Sequence, residues 1–305
     1  MAARSYAAML VALPPRRSVR DPFTHPDSQT APTAHSRLTE MDIVRPKSPV
    51  SNPAVLPSAM FDLRWSRPIR EGQTLVVTTG NLLLDALSPD LRQAVLEMCR
   101  PVDLPLRTLL HEQGEMPVFA YFLCSGAASM VVSMAEGGSA EVGLIGREGV
   151  IGAIHILGPT PTPAQCFIQM EGTGLRLRLA DLRTLFQTSE EFRGRVLEYV
   201  QQQTVTLEQV AACNKLHETE ERLARWLLMS RDRADQETMT MTQEFLADML
   251  GTRRTTVTLV AGSLQRRGLI DYRRGKVTIL DRNALELAAC TCYAVTKEAL
   301  THLYQ

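Results

Sequence analysis

Seven basic side chains fall within residues 251–276 of this sequence, against a single acid, Asp271. They are Arg253, Arg254, Arg266, Arg267, Arg273, Arg274 and Lys276. The whole chain of 305 residues has 33 basic and 33 acidic residues and no formal net charge. Residues 251–276 therefore hold a local excess of positive charge. Arginine and lysine at such a density are what the neutralisation of nucleic-acid phosphates requires.

Two short helices joined by a tight corner are predicted to position these side chains. Thr242 is suited to cap the first helix, and Gly251 is suited to end it in the left-handed conformation. Thr252 is then expected to cap the second helix, which turns one apolar side inward. The opposite side of the second helix is small and free of acids, and consists of Thr255, Thr258, Leu259, Gly262 and Arg266.

A β-hairpin is predicted directly after the second helix. Alternating apolar and polar residues in 269–273 and 276–279 flank a turn at Arg274-Gly275. A helical corner followed by a hairpin forms a winged helix-turn-helix, whose second helix suits the major groove of duplex DNA. An ordinary helical corner with a solvated basic surface is the plainer alternative, but corner, hairpin and charge coincide here.

These segments resemble a known family. MTQEFLADMLGTRRTTVTLVAGSLQRRGLI, followed by RRGKVTIL, is similar to the winged helix of the Crp–Fnr transcription regulators. The resemblance covers roughly residues 82–280; it is specific at the C-terminal end and architectural in the sensor half. It implies an α+β fold with an N-terminal antiparallel β-roll like that of cyclic-nucleotide-binding domains, a long dimerisation helix and a C-terminal winged helix-turn-helix.

The resemblance also implies partners and residue roles. The partners are double-stranded DNA with a two-fold operator, a second copy of the chain, and RNA polymerase. Arg254 matches the family arginine that reaches guanine O6 and N7, whereas Thr255 and Leu259 replace a glutamate and a second arginine, so the operator must differ. The expected DNA-binding residues are Thr252, Arg253, Arg254, Thr255, Thr258, Leu259, Arg266, Arg273, Arg274 and Lys276.

The expected domain boundaries follow composition. Residues 1–80 form a tail, and positions 1–70 hold 10 of the 17 prolines, which predicts disorder; translation from Met41 or Met60 is an alternative. Short alternating runs separated by glycine turns predict the β-roll in 81–188. The dimerisation helix occupies 189–215 and the DNA-binding domain 216–305, with a polar link at 234–240 and one last helix, after Asp281, that docks back on the body.

Two apolar stripes run along the long helix, predicted for residues 189–214. One stripe can cover the roll while the other meets a twin helix, and the sequence does not decide which. A single wide stripe against the chain's own core is the alternative. The residues assigned to the dimer helix are Phe192, Val196, Tyr199, Gln203, Thr206 and Val210; the second stripe is Leu197, Val200, Thr204, Leu207 and Ala211.

The phosphate cassette of nucleotide-binding family members has a Gly-Glu pair for the ribose and an arginine about ten residues later. Here Ala153 follows Gly152, and residues 163–165 contain no arginine. We therefore predict that cyclic AMP does not bind specifically at physiological concentration, and the effector stays unassigned. Arg147 and Glu148, just upstream, are expected to lie in an exposed loop.

Other chemistry finds little support in the sequence. The six histidines do not stand at metal-ligand spacing, His155 is expected to pack in the roll rather than to bind haem, and Cys290 and Cys292 are expected to pack in a core. No N-terminal cysteine cluster, nucleophile elbow or phosphate loop is present. No enzymatic activity, metal or cofactor is therefore expected.

Location and a rival function complete the expectations. The six cysteines are scattered along the chain, as is typical of buried thiols in a reducing cytoplasm. The sequence has no run of 18 apolar residues, so no membrane span is predicted. The rival is an interaction or small-ligand-sensing module in which the β-roll is the working part and the winged helix docks a protein partner rather than DNA.

Overall fold

The computed structural model describes residues 78–234 and 236–305, so the predicted N-terminal tail lies, through residue 77, outside the described residues. The helices are α1 (Leu82–Asp85), α2 (Pro89–Met98), α3 (Ile154–Leu157), α4 (Leu179–Thr188), α5 (Glu190–Leu216), α6 (Thr219–Ala234), α7 (Gln243–Leu250), α8 (Arg254–Arg266), α9 (Arg282–Ala288) and α10 (Cys292–Thr301). The strands are β1 (Arg100–Leu104), β2 (Leu109–His111), β3 (Phe119–Leu123), β4 (Ala127–Ser133), β5 (Ser139–Ile145), β6 (Val150–Ile151), β7 (Gln165–Met170), β8 (Gly172–Arg178), β9 (Thr238–Thr240), β10 (Ile270–Arg273) and β11 (Lys276–Ile279).

The first eight strands form two four-stranded antiparallel sheets, in the orders β1-β8-β3-β6 and β2-β7-β4-β5. Alternate side chains point into the space between them: Ala120 and Phe122 are buried, whereas Phe119 and Tyr121 are half-buried. This confirms the predicted antiparallel β-roll. No helix among the described residues is both long and apolar enough to cross a bilayer.

Helix α5 begins where the sequence predicts. The Ser189 hydroxyl accepts a hydrogen bond from Phe192 N. Two glutamates in the first turn interact favourably with the positive end of the helix dipole. Phe192, Val196 and Tyr199 then lie in the core of the roll. The Tyr199 ring lies so close to Gly149 that a Cβ there would overlap it.

The residues assigned to the dimer helix are therefore corrected. Phe192, Val196, Tyr199, Thr206 and Val210 are all buried within the protomer, because this stripe covers the chain's own apolar surfaces. Gln203 is half-buried and its amide donates to Met130 Sδ. The second stripe remains outside: Leu197 is 47 % exposed, Thr204 and Ala211 are exposed, and Val200 and Leu207 are half-buried.

Helix α6 joins the roll to the C-terminal domain through one continuous core. Its Leu223, Trp226 and Leu227 share an apolar cluster with Leu144 and Phe167 of the roll. A buried ion pair lies in the same contact: Arg233 Nε donates to Glu148 Oε1 at 2.8 Å, with both side chains less than 5 % exposed. The expectation that Glu148 lies in an exposed loop is wrong, because the α6 arginine covers it.

A second buried carboxyl, Glu141 of β5, lies against the same helix. Trp226 Nε1 donates to its Oε1 at 2.8 Å, and Ser129 Oγ lies 2.7 Å from its Oε2. Burial raises the pKa of Glu141 to about 7. The Ser129 hydroxyl has one proton and a second close acceptor, Gln169 Oε1. A protonated Glu141 removes this competition by donating to Ser129, which then donates to Gln169.

Glu141→Gln is expected to stabilise the protein by about 3 kcal/mol at pH 8. Since the pKa of Glu141 in the folded state lies above its ordinary 4.5, the folded state holds the extra proton and loses stability as pH rises from about 4.5 to 7. The glutamine amide imitates the protonated acid and removes this slope. Urea unfolding across that pH range measures the effect, with the exposed Glu115→Gln as control; an unchanged slope would contradict the assignment.

The C-terminal segment differs from the single helix predicted. Residues 289–291 separate α9 from α10, and α10 packs along α5 and α6. Beyond α10, the Tyr304 hydroxyl donates to the carbonyl oxygen of Glu148 at 2.8 Å. The predicted docking of this segment on the body is thus confirmed, although the helix is interrupted.

Candidate DNA-binding surface

The α7–α8 corner is held by two local signals. The Thr242 hydroxyl accepts from Phe245 N at 3.1 Å, and Gly251 ends α7 at φ +59° in the left-handed region. The expected cap by Thr252 is wrong: Arg253 occupies the N-cap of α8, and no side chain caps the helix there. The Thr252 amide instead donates to the Ala247 carbonyl at 2.9 Å and closes the end of α7.

Helix α8 separates an inner from an outer side. Val257, Ala261 and Leu264 are buried against the supporting helices. On the outer side, Arg254, Thr255, Thr258 and Leu259 are exposed. Leu259 is 72 % exposed, so its isobutyl group is available to a partner.

The wing is a three-stranded antiparallel sheet in the order β10-β11-β9. Arg273 pairs with Lys276 across a two-residue turn, in which Arg274 and Gly275 both have positive φ, +52° and +73°. The predicted hairpin and turn are confirmed. The third strand, β9, comes from the polar stretch that was predicted to be only a link.

A cleft of about 310 Å³ opens between the start of α8 and the wing. It is lined by Thr242, Gln243, Arg254, Tyr272, Arg274 and Gly275, so two arginine residues border one space. Burial raises the pKa of Tyr272 to about 12, and its protonated hydroxyl donates to the Met241 carbonyl at 2.9 Å. This bond fixes the Tyr272 ring in the wall of the cleft.

Most of the predicted DNA-binding residues lie together on one exposed face. We call this face the α8–wing surface and define it by Arg253, Arg254, Thr255, Thr258, Leu259, Arg266, Arg273, Arg274 and Lys276, all of which are exposed. Thr252 lies at its edge and is half-buried. Arg267 lies outside it, because its guanidinium pairs with Glu220 of α6 at 2.7 Å.

Two members of the α8–wing surface already have partners within the protein. Arg273 Nε lies 2.9 Å from Asp271 Oδ1 in an exposed pair, which is weak and can be exchanged for a phosphate. The Thr258 hydroxyl has Gln243 Oε1 at 2.8 Å and the Arg254 carbonyl at 3.0 Å as acceptors. Its methyl group is therefore the part available to a base.

The segment corresponding to the phosphate cassette forms β6, α3 and the start of β7. Ala153, at the position of the glutamate, is buried and offers no acceptor, and Ala164, where an arginine is expected, is also buried. The guanidinium of Arg183 reaches this segment but donates to the His155 carbonyl at 2.9 Å.

His155 lies in the roll, as predicted. It is fully buried, its ring meets that of His111 edge-on with centroids 5.3 Å apart, and neither ring nitrogen has a hydrogen-bond partner. Burial and the neighbouring His111 lower the pKa of His155 to about 4, and burial likewise lowers that of His111, so both rings are neutral.

A further group of side chains was missed by the sequence analysis. Cys213 and His217 at the end of α5 meet Cys290 and Cys292 beside α10, with all four donor atoms within 4.8 Å of one another. The expectation that no histidine stands at metal-ligand spacing is wrong, because His217 follows Cys213 by four positions and lies beside Cys290 and Cys292. The sequence signal for this group was a Cys-x3-His pattern at Cys213 and a Cys-x-Cys pattern that begins 77 residues later, at Cys290.

Two family models match the chain. The model of the Crp-like helix-turn-helix domain matches residues 221–288, and that of the cyclic nucleotide-binding domain matches residues 101–189. A comparison with curated protein sequences returned no significant match.

Solved structures share the fold at low identity. A Crp/Fnr-family transcriptional regulator from Eubacterium rectale is 17 % identical, with 69 % of this chain and 99 % of that chain covered, at a TM-score of 0.56. FixK2 from Bradyrhizobium japonicum is 15 % identical (63 % and 98 % covered, TM-score 0.53). CLP from Xanthomonas campestris, described as a regulator responsive to c-di-GMP, is 17 % identical (64 % and 100 % covered, TM-score 0.53).

A sensor-type roll joined by a long helix to a winged helix-turn-helix defines a DNA-binding transcription regulator. The chain belongs to the Crp–Fnr family of such regulators, whose members are not enzymes.

Proposed function

We propose that this regulator binds a two-fold DNA operator as a homodimer, with α8 of each protomer in the major groove. The observation that supports this proposal is the outer side of α8, which is exposed, free of acids and flanked by Arg254 and Arg274. RNA polymerase is a further proposed partner. The cytoplasm is the proposed location.

We assign base contacts to the middle of the α8–wing surface. We assign Arg254 to donate to guanine O6 and N7, and Leu259 to contact a thymine methyl. Thr255 and Thr258 are short enough to let α8 approach the base edges. The remaining basic side chains are assigned to phosphates: Arg253, Arg266, Arg273, Arg274 and Lys276. The N-terminal amides of α8, beside Thr252, lack a side-chain cap and can also donate to a phosphate.

The second stripe of α5 is the proposed dimer seam. Its 3-4-3-4 spacing fits a twin helix, and Leu197, Thr204 and Ala211 are exposed, whereas no residue of the first stripe is. A parallel pair of helices places two α8 helices on one side of the dimer, as two half-sites about 34 Å apart require.

Leu197→Glu is expected to weaken the dimer at least about tenfold, since the twin helices would bring two carboxylates together. Light scattering over a range of concentrations measures the dissociation. Val205→Glu is the matched control, because Val205 is 39 % exposed but lies about 80° around the helix from Leu197. Equal dissociation of both variants, or of neither, would contradict the proposed seam.

Cyclic AMP is expected to give no specific isotherm by calorimetry at micromolar concentration. Ala153 and Ala164 supply neither the ribose acceptor nor the charge for the phosphate. A saturable one-to-one isotherm at that concentration would show that another residue replaces the missing pair.

Selection of genomic fragments by the purified protein tests the proposed function. The bound fragments should share a motif with two-fold symmetry, and their affinity should fall steeply with salt. Failure to enrich any duplex, even in dilute buffer, would exclude DNA and favour the rival function, in which the winged helix docks a protein.

A further inference from the structure

Three thiols and one imidazole converge where α5 ends. Cys213 lies in the last turn of α5 and His217 is its C-cap, while Cys290 precedes α10 and Cys292 begins it. The Sγ atoms of Cys213 and Cys290 are 3.4 Å apart, and Cys292 Sγ lies 3.4 Å from His217 Nδ1. The three thiols are buried and His217 is half-buried, so the cluster has one open side.

The local backbone brings about this convergence. Two residues at positions i and i+2 of a helix point about 200° apart, so Cys290 and Cys292 could not face one partner from a continuous helix. The chain leaves the helical conformation between α9 and α10, although residues 289–291 contain neither glycine nor proline. The interruption therefore turns both thiols towards Cys213, which itself lies one helical turn from His217.

The dimensions of the cluster match a single tetrahedral ion. With zinc–sulfur bonds of about 2.3 Å, neighbouring sulfurs around zinc are about 3.8 Å apart. The Cys213 and Cys290 sulfurs, 3.4 Å apart, lie slightly below this edge, and no pair of donor atoms exceeds 4.8 Å. The 3.4 Å between Cys292 Sγ and His217 Nδ1 is close to the roughly 3.5 Å expected between a sulfur and a nitrogen on one zinc ion. Three soft thiolates with one imidazole are a ligand set that selects zinc over the hard cations. We propose that Cys213, His217, Cys290 and Cys292 bind one zinc ion.

Neighbouring side chains fit the charge of such a site. Zinc with three thiolates carries one net negative charge, and the buried arginines Arg222 and Arg225 lie close enough to interact electrostatically with Cys213. Their Nε atoms have no hydrogen-bond partner. Gln209 Nε2 donates to Cys292 Sγ at 3.0 Å, as outer groups commonly do to ligating sulfurs.

The position of the site gives the ion a mechanical role. It links the end of α5, which leads from the roll to the DNA-binding domain, to the segment between α9 and α10. Bound zinc therefore fixes the C-terminal helices against α5 directly beside the start of α6. The link is independent of the α8–wing surface, so it holds whether or not the proposed operator contacts are right.

Metal analysis of the full chain, purified without an affinity tag, tests the proposal. About one zinc per chain is expected by mass spectrometry, and cobalt(II) added to the metal-free protein should give the visible absorption of a tetrahedral thiolate site. Cys292→Ser and His217→Ala should lose this absorption. Cys124→Ser, a thiol of the roll outside the cluster, is the matched control and should keep it.

Three results would overturn the proposal. The first is metal-free protein that gives no tetrahedral cobalt spectrum even though its circular dichroism is native. The second is a native disulfide between Cys213 and Cys290 in place of the metal, and the third is a stoichiometric iron or copper centre. The cobalt experiment on the unchanged chain decides the matter even if the variants fail to fold.

Discussion

Replacement of Arg233 by methionine is expected to lower the free energy of unfolding by about 3–5 kcal/mol. Methionine keeps most of the side-chain volume but leaves the Glu148 carboxylate, 4 % exposed, without its cation. The only other hydrogen bond to that carboxylate within the described residues is donated by Gly146 N at 3.0 Å. Urea unfolding, followed by tryptophan fluorescence and circular dichroism, measures the loss.

The double variant Arg233→Met/Glu148→Gln separates the charge from the packing. Glutamine retains an oxygen for Gly146 N and removes the buried negative charge, so most of the stability should return. If the double variant is as unstable as Arg233→Met alone, lost packing rather than an unpaired carboxylate explains the effect.

Arg254→Ala is expected to lose about 1–3 kcal/mol of binding free energy per half-site and to relax the preference at one base pair. The guanidinium lies at the start of α8, exposed and facing the cleft beside the wing, so its removal should leave the fold intact. Fluorescence anisotropy with selected operators, each altered at one position, measures both effects.

Two variants provide the comparison for Arg254. Lys276→Ala, on the wing, should weaken all sequences alike and reduce the slope of log affinity against log salt by about 1. Arg178→Ala, an exposed arginine of the roll paired with Asp181, changes the charge equally and should leave binding unchanged. Base-selective loss at Lys276 and uniform loss at Arg254 would reverse the two assignments.

The winged helix was predictable because its signals are local. Thr242, Gly251 and the Arg274-Gly275 turn each specify their conformation through neighbouring residues, and the structure places all three as expected. Thr252 was assigned wrongly because cap preference alone cannot tell which of two adjacent residues leaves the helical conformation. Strand β9 was missed since only its pairing with β11 makes it a strand.

Features that depend on distant partners were not predictable. Glu148 looks like a loop acid until Arg233, 85 positions later, covers it. Likewise, the choice between the two stripes of α5 depends on where the roll lies, and the sequence left it open. The cysteine cluster needs the break after α9, for which the sequence carries no glycine or proline signal.

The core shared by α6 and the roll limits how separable the two halves of the molecule are. Trp226 and Leu227 of α6 form one apolar cluster with Leu144 and Phe167 of the roll. A chimaera in which α6 and the winged helix come from a relative would therefore pack the relative's α6 against a roll surface that does not match it. An exchange that carries β5, β7 and α6 together keeps this contact whole, so the natural unit of exchange here includes strands of the roll as well as α6.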